Sequence, residues 1–576
     1  MLMQEQLLNY LKKLTNVDDI KLEIPPKKEL WDFAFPTFPL AKTFRKNPNQ
    51  IAQELVEKIN KDKPSFIEKV EQVGPYINFF LSKDTYNDLF KKILEEKIED
   101  EENKSKTIFI DYIGANVWKP LHIGHMCTPN LGQAIINTYK RLWYNVVSDS
   151  HIGDWGIIFW KLIVAYQNWG NEEKLKENAV DHLLELYIKA TAEEEKDSSW
   201  NDKFQQAFKK LSSGDKDYIK YWEMFTKESI QAMNKQLAKL NVKPDYNIWE
   251  SFYEWLALPK LEDYPDLIWS MKDITKELIE KKIATKNEDG SVGVIFENNK
   301  YPSTILQKRN GTFGYLASDL AAVKYRVHYW KPEKIIYFVD KRQTQHLQWV
   351  FEISKLAGWT KDSNLYHAAN GFISLKDGAM STRKGKIIKL QALLDEAKNR
   401  AKQIILEKRE DLDKKELESL SEIIWIWAIK YEYLRKNREL DVVFDWDEFM
   451  TFEWNSAPYI MYSYVRWLSI LEKNGLDFLD NINNYNFTKQ EEFDLIKKLS
   501  EYKEVLKQTA EKAYPHILAN YTYELTKLFN NFYNNVSVNN ESDLEKKKSR
   551  LALVKKFTET LKDSFDILAI KLPERM

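Results

Sequence analysis

The segment Asn116-Val-Trp-Lys-Pro-Leu-His-Ile-Gly-His125 decides the fold. Just upstream, residues 107–112 (TIFIDY) are a short apolar run of strand type. Downstream, 124–142 has helical periodicity and 144–148 (YNVVS) is strand-like again. Strand, loop, helix, strand is the opening of a parallel α/β sheet. The loop after such a strand opens a helix N-terminus, where N–H groups and the helix dipole favour phosphate. Two histidines three apart, with a glycine between them, sit at that spot. Imidazoles there can donate to phosphate oxygens as charge builds during in-line attack at an α-phosphate, and Gly124 leaves room for a nucleotide against the backbone. Capping or surface histidines are the plainer alternative; the position between strand and helix weighs against it.

Working outward, strand and helix alternate again from 292 to 390: VGVIF, then FGYLA leading into a helix, then KIIYFV leading into another. Residues 165–240 are helical and charged, an insertion. The Lys- and Glu-rich stretch 95–106 reads as a solvated linker after a first small α/β unit, and from 391 the pattern is almost wholly helical. The expected architecture is therefore α/β. A parallel-sheet, Rossmann-like nucleotide-binding domain occupies 105–390, with a small N-terminal α/β domain at 1–95 and an all-α C-terminal domain at 391–576.

A chain of 576 residues is too long for one core. Its 43% hydrophobic and 30% charged residues describe a soluble globular protein. There is no 18-residue apolar run, and the first residues are too polar for a secretory signal, so no membrane partner and a cytoplasmic location are expected. Cys127 is the sole cysteine, which excludes a disulfide framework and a multi-cysteine zinc site. With 8 His and no HExxH pair, no metal held by protein side chains is expected. The charges nearly cancel, 86 basic against 87 acidic, so a polyanion would have to bind through local basic patches.

The 122–125 motif, HIGH, resembles the first signature of class I aminoacyl-tRNA synthetases. The second signature belongs about one domain later, where Ala379-Met-Ser-Thr-Arg-Lys-Gly385 follows a glycine turn at 376–378. Ala379 departs from the family, which usually has lysine there to neutralise the ATP phosphates. Arginyl-tRNA synthetases often lack that lysine and carry one just upstream of HIGH, where Lys119 stands. Further stretches narrow the resemblance to that group, in the family's order: His151-Ile-Gly-Asp-Trp-Gly156, Leu186-Tyr-Ile-Lys189, Val339-Asp-Lys-Arg-Gln-Thr-Gln-His346, Phe444-Asp-Trp-Asp447, Ala457-Pro-Tyr459 and Pro573-Glu-Arg-Met576.

The resemblance implies joining of L-arginine to tRNA(Arg) with ATP, which brings Mg²⁺ as its complex, by a monomer that needs no zinc. It carries the catalytic roles onto Lys119, His122, Gly124, His125, Met380, Ser381, Arg383 and Lys384. A guanidinium is planar, permanently charged and rich in donors, so a selective pocket needs carboxylates and neutral acceptors. The family's arginine positions fall on Asn116, Glu250, Tyr315, Asp319 and Gln343. Glu250 and Asp319 would bracket the guanidinium, with Tyr315 four residues before Asp319 on one helix face. Residues 1–90 resemble the family's added domain that contacts the tRNA corner, and the helical C-terminal part resembles its anticodon-binding domain. Tyr459 and Arg466 are the tRNA-binding candidates there, since aromatics stack on splayed bases and arginine holds phosphates. A nucleotidylyltransferase sharing HxGH, a sister synthetase and a non-catalytic RNA-binding paralogue remain rivals. The acidic pair and the helical C-terminal domain speak against the first two, the intact histidines against the third.

One feature of composition is abnormal: 17 Gly against 19 Trp, where glycine is usually about 7% of a chain. Trp31, Trp143, Trp160, Trp249, Trp425, Trp427 and Trp454 stand where the family pattern has glycine, and Trp118 is a further candidate. The expectation is that these are glycine in the living protein, encoded by a reassigned UGA codon, whereas Trp155 matches a tryptophan of the family.

Overall fold

The computed structural model describes residues 2–23, 32–116, 118–254, 263–297, 300–360, 364–375, 388–408, 412–449, 457–474, 482 and 484–573. Near the N-terminus, β1 (Phe33–Pro36), β2 (Ile67–Val73) and β3 (Tyr76–Leu81) form an antiparallel sheet in the order β1-β3-β2. The amphipathic helices Leu2–Thr15, Pro48–Lys61 and Lys83–Glu95 accompany it, burying Leu7, Leu11, Ile51, Leu55, Leu89 and Phe90. The stretch that follows is pinned rather than simply solvated: Asn103 Nδ2 donates to the Leu142 carbonyl at 3.0 Å, and Glu99 meets Arg141 at 2.6 Å.

β4 (Thr107–Asp111) and β5 (Asn145–Asp149) are joined by the helix Cys127–Arg141 and pair in parallel. Gly132 lets that helix lie against the loop after β4, because a Cβ there would meet the Tyr112 side chain at 2.4 Å. The insertion then follows as helices Ile157–Trp169, Glu172–Lys196, Ser199–Ser212 and Lys216–Lys239. Next come β6 (Thr285–Lys286), β7 (Val292–Val294) and β8 (Thr304–Gln307), a separate antiparallel sheet. The VGVIF run thus does not join the parallel sheet. FGYLA is not a strand either: Gly314 caps, and Tyr315 begins, the helix Tyr315–Trp330.

β9 (Lys334–Tyr337) and β10 (Asn364–His367), with the helix Thr344–Leu356 between them, complete a parallel sheet of order β10-β9-β4-β5. Phe109, Ile110, Ile335 and Ile336 are fully buried, as expected of strands covered on both faces. The winding reverses between β4 and β9, since β5 lies on one side and β10 on the other. In such sheets ligands bind at the carboxyl ends of the strands beside that reversal.

The C-terminal half is helical: Leu390–Lys408, Lys414–Leu434, Ala457–Asn474, Gln490–Ser500, Tyr502–Lys512, Pro515–Asn535 and Leu544–Ile567. One exception ties it to the sheet-bearing half, for β11 (Ile373–Leu375) pairs in parallel with β12 (Val442–Phe444). A second tie runs through the helix Cys127–Arg141. Tyr139 Oη donates to the Ala510 carbonyl at 2.9 Å, Arg141 Nε reaches Asp563 at 2.9 Å, and Asn137 Nδ2 donates to the Ile567 carbonyl at 3.1 Å. Fully buried Lys430 donates to the Leu240 carbonyl at 2.8 Å and the Ala569 carbonyl at 3.2 Å, so one ammonium joins the ends of two helices from a third.

Candidate active site

A cleft of about 420 Å³ opens at the reversal between β4 and β9. Its walls include Gly114, His122, Gly124 and His125 from the loop after β4, Asp340 and Gln343 from the loop after β9, and Asn370. The two histidines are locked by their own backbone. The His122 N–H donates to His125 Nδ1 at 3.0 Å, the Gly124 N–H donates to His122 Nδ1 at 3.1 Å, and the ring centroids lie 4.0 Å apart. A ring whose Nδ1 accepts a hydrogen bond carries its neutral-state proton on Nε2. Burial, with Lys119 nearby, lowers His122 to about 4; burial, then His122 and Lys119, lowers His125 to about 3. Both rings are thus neutral Nε2–H donors at neutral pH. Lys119, whose ammonium lies 4.7 Å from the Trp118 ring centroid, is the cation felt by both.

The described chain on each side of the second signature reaches this loop. Ile373 of β11 lines the cleft, and the Ile123 N–H donates to the Ile388 carbonyl while the Leu390 N–H donates to the Leu121 carbonyl. Met380, Ser381, Arg383 and Lys384 themselves lie outside the described residues, as do Trp31 and Trp454.

The acidic pair converges. Glu250 begins a short 3₁₀ turn, Glu250–Tyr253, and its N–H donates to the Ile152 carbonyl at 3.2 Å. Asp319 lies one turn into the helix Tyr315–Trp330. Burial, with Asp154 and Asp319 adding repulsion, pushes the Glu250 carboxyl well above its ordinary value. Tyr315 is raised by burial and by Glu250, although the residue as a whole is 62% exposed. At Asp319 burial raises the pKa, but a 2.5 Å hydrogen bond with His346 Nε2 and the neighbouring His151 bring it below the usual range. His151 Nε2 is 3.4 Å from Asp319 Oδ1.

The cradle and the cleft are contiguous through backbone. The Gly153 N–H donates to the Ala115 carbonyl at 2.9 Å, so the 151–154 loop beside Glu250 pairs with the start of the histidine loop at Asn116. Asp154 of that loop accepts from the Ser251 N–H at 2.9 Å and from its hydroxyl at 2.5 Å, which fixes the turn carrying Glu250. Gln343 lines the cleft three residues before His346 grips Asp319. Of the expected residues, His122, Gly124, His125 and Gln343 line the cleft, Lys119 is near both histidines, and Asn116, Glu250, Tyr315 and Asp319 belong to the adjoining segments.

Tyr459 and Arg466 stand apart on the helix Ala457–Asn474, which lines no part of the cleft. Arg466 is exposed, its guanidinium 4.4 Å from the Tyr533 ring centroid, whereas Tyr459 is half-buried with its hydroxyl accepting from Asn530 Nδ2 at 2.7 Å. Sequence reasoning missed His151 as a partner of Asp319, His346, Asp154, Asp340, Asn370 and the ion pairs that buried Arg326 makes with Asp111 and Asp149. The carboxylates ending β4 and β5 were the available signal for the last of these.

Known proteins bear on this geometry directly. The family model for the catalytic domain of class I tRNA synthetases (R) matches residues 89–446, the arginyl tRNA synthetase N terminal domain 1–81, and the DALR anticodon binding domain 460–576. The arginine–tRNA ligase of Clostridium perfringens is 37% identical over 573 residues, covering 98% of this chain and 97% of that protein. That of Fusobacterium nucleatum is 38% identical over 544 residues, 93% of this chain and 91% of its own. Among solved structures, the arginyl-tRNA synthetase of Plasmodium falciparum superposes with a TM-score of 0.79 at 24% identity, covering 100% of this chain and 98% of that one. The Thermus thermophilus arginyl-tRNA synthetase gives 0.77 at 22%, with 100% and 99% covered, and these two likenesses bear on the fold alone. On full-length relatives at these identities, and on a catalytic-domain match over most of its length, the chain belongs to the class I arginyl-tRNA synthetase family.

Proposed function

We propose that the chain is an arginine–tRNA ligase that activates L-arginine with ATP in the cleft and transfers it to the 3′-terminal ribose of tRNA(Arg). A carboxylate oxygen of arginine attacks the ATP α-phosphorus, the bond to the β-phosphate breaks and pyrophosphate leaves. A ribose hydroxyl then attacks the arginyl carbonyl carbon and AMP leaves. The Nε2–H groups of His122 and His125 donate to phosphate oxygens as charge develops, at rings already fixed by backbone bonds. Lys119 supplies the positive charge that Ala379 does not, and Gly124 gives the nucleotide room. Met380, Ser381, Arg383 and Lys384 act as the loop closing on ATP. Positioning and electrostatics carry the rate, with no covalent enzyme intermediate.

Arginine's guanidinium lies between Glu250 and Asp319 with the Tyr315 hydroxyl as a further partner, while Asn116 and Gln343 orient its amino and carboxylate end. Mg²⁺ accompanies ATP as its phosphate complex. The catalytic unit spans 105–390, the N-terminal unit 1–95 meets the tRNA corner, and the helical unit 391–576 reads the anticodon, with Tyr459 and Arg466 as contacts. The protein works as a cytoplasmic monomer; among the described residues no helix is long and apolar enough to cross a membrane.

The observation that carries this reading is the convergence of two buried carboxylates from separate elements beside the histidine loop. ATP–pyrophosphate exchange and charging of total tRNA with labelled arginine or lysine test it. Exchange and charging with arginine alone support it; equal use of lysine, or none of arginine, ends it.

A further inference from the structure

We propose that His346 is a positioning residue for arginine, holding the Asp319 carboxylate in place opposite Glu250. The proposal rests on the reading of Glu250 and Asp319 as the guanidinium carboxylates. Asp319 is approached by two imidazoles from two different elements. His346, in the first turn of the helix after β9, is 2.5 Å from Oδ2, and His151, in the loop after β5, is 3.4 Å from Oδ1. A lone carboxylate on one helix turn keeps its rotamer freedom. One hydrogen-bonded at Oδ2 by His346, with the His151 ring packed beside Oδ1, is fixed relative to the helix after β9, and a bidentate guanidinium contact rewards that fixity. Arg326, about two helical turns further along the same helix, sits in turn on Asp111 and Asp149, so the helix is keyed to the tips of β4 and β5 as well.

The test compares His346→Ala with His346→Gln, whose side-chain amide can still offer an N–H at the ring Nε2 position. With the alanine variant, the arginine KM in pyrophosphate exchange should rise about tenfold to a hundredfold. The ATP KM should stay within about twofold, and the glutamine variant should recover most of the loss. An unchanged arginine KM, a parallel rise for ATP, or equal losses in the two variants overturns the role. Asp319→Asn, run alongside, separates the failures. If it too leaves the arginine KM unchanged, the cradle reading falls with the positioning role; if it raises that KM while His346→Ala does not, only the positioning role falls.

A second inference stands on independent observations: position 143, and with it Trp160, Trp249, Trp425 and Trp427, is glycine in the living protein. Trp143 has φ +69° and is the one aromatic residue among the positive-φ positions described. It directly follows the helix Cys127–Arg141 and its cap Leu142. Its N–H donates to the Lys140 carbonyl at 3.0 Å, and the Tyr144 N–H donates to the Tyr139 carbonyl at 3.1 Å. With the Tyr139 and Tyr144 rings 5.0 Å apart, this is a complete Schellman ending, whose left-handed position is ordinarily glycine. The same pair of bonds ends the helix Thr344–Leu356 at Gly358, φ +74°, and ends other helices at Asn241, Lys282, Ala513 and Ala569, so what sets position 143 apart is the size of its ring. The buried sites tell the same story by other means. Trp160, Trp249, Trp425 and Trp427 are each under 8% exposed and their indole N–H groups meet no acceptor, as is also true of Trp222 and Trp467, whereas Trp349 and Trp359 donate to Pro302 and Glu277. Buried indole N–H groups ordinarily find partners.

One tryptic peptide tests positions 143 and 160 beside an internal control, because residues 142–161 run from the cleavage after Arg141 to Lys161 and hold Trp143, Trp155 and Trp160. Sequenced by mass spectrometry from protein purified from its native source, it should read glycine at 143 and 160 and tryptophan at 155. Tryptophan at 143 or 160, or a UGG codon at either, overturns the inference.

Discussion

Arg326 Nη2 lies 2.8 Å from Asp149 Oδ2, at a point where neither side chain is more than 1% exposed. Its other terminal nitrogen is equally close to Asp111, so one guanidinium bridges the ends of two adjacent strands to the helix that bears Tyr315 and Asp319. Replacing it with methionine leaves two buried carboxylates with no cation between them. Arg326→Met should lower unfolding free energy by about 3–5 kcal/mol in a denaturant titration. A change under about 1 kcal/mol would mean the pair contributes little to the fold.

Glu250 resists ionisation because burial, Asp154 and Asp319 all oppose its charge. A guanidinium held there, as proposed, would favour that charge, so arginine binding should drive the proton off to solvent. The groups facing it include Asp319, held ionised beside His346 and His151, and Tyr315. The arginine KM should therefore fall as pH rises through the range where Glu250 is protonated in the free enzyme. Glu250→Gln should flatten that dependence and raise the KM about tenfold to a hundredfold. Matching pH profiles for both proteins would refute the coupling.

For the histidine pair, replacing His122 or His125 with alanine should slow pyrophosphate exchange about a hundredfold to a thousandfold, mainly in kcat. The folded-state values, about 4 and about 3, lie below the ordinary 6.5. Between those limits the unfolded chain binds the protons that the folded one refuses, so their contribution to stability is whole above about pH 6.5 and declines as pH falls toward 4. Unfolding midpoints measured down that range check the sign, and a His122→Ala protein should show a shallower decline.

Lys430 presents the basic counterpart. Burial lowers it to about 7, well under the ordinary 10.5, so the unfolded chain again holds the extra proton. Its penalty on stability is full below about pH 7 and lifts as pH rises toward 10. The difference in unfolding free energy between the parent and Lys430→Met should grow in the parent's favour across that window. A constant difference would show that the ammonium stays charged inside.

Much of this site was legible in the sequence because its strongest signals are local. The histidine pair, its glycine and Lys119 fall within seven residues of one loop, and Tyr315 and Asp319 within one turn of one helix. Glu250 needed the family resemblance, since a single acid before a short turn reads as a cap. The contacts of His346 and His151 with Asp319, and the bridging by Arg326, were not legible because they exist only where three or four chain segments meet, and no spacing along the chain records that. VGVIF was taken as part of the parallel alternation because a three-residue apolar strand carries no mark of its neighbour's direction, and the bulge between Val292 and Gly293 belongs to an antiparallel pair.

The helix that leaves the phosphate loop ends in bonds to Ala510, Asp563 and Ile567, residues of the far C-terminal bundle. The two halves therefore share a beam instead of meeting at a hinge. A fragment cut before the last helix would lose acceptors and a counter-ion from the very rod on which His122 and His125 are mounted.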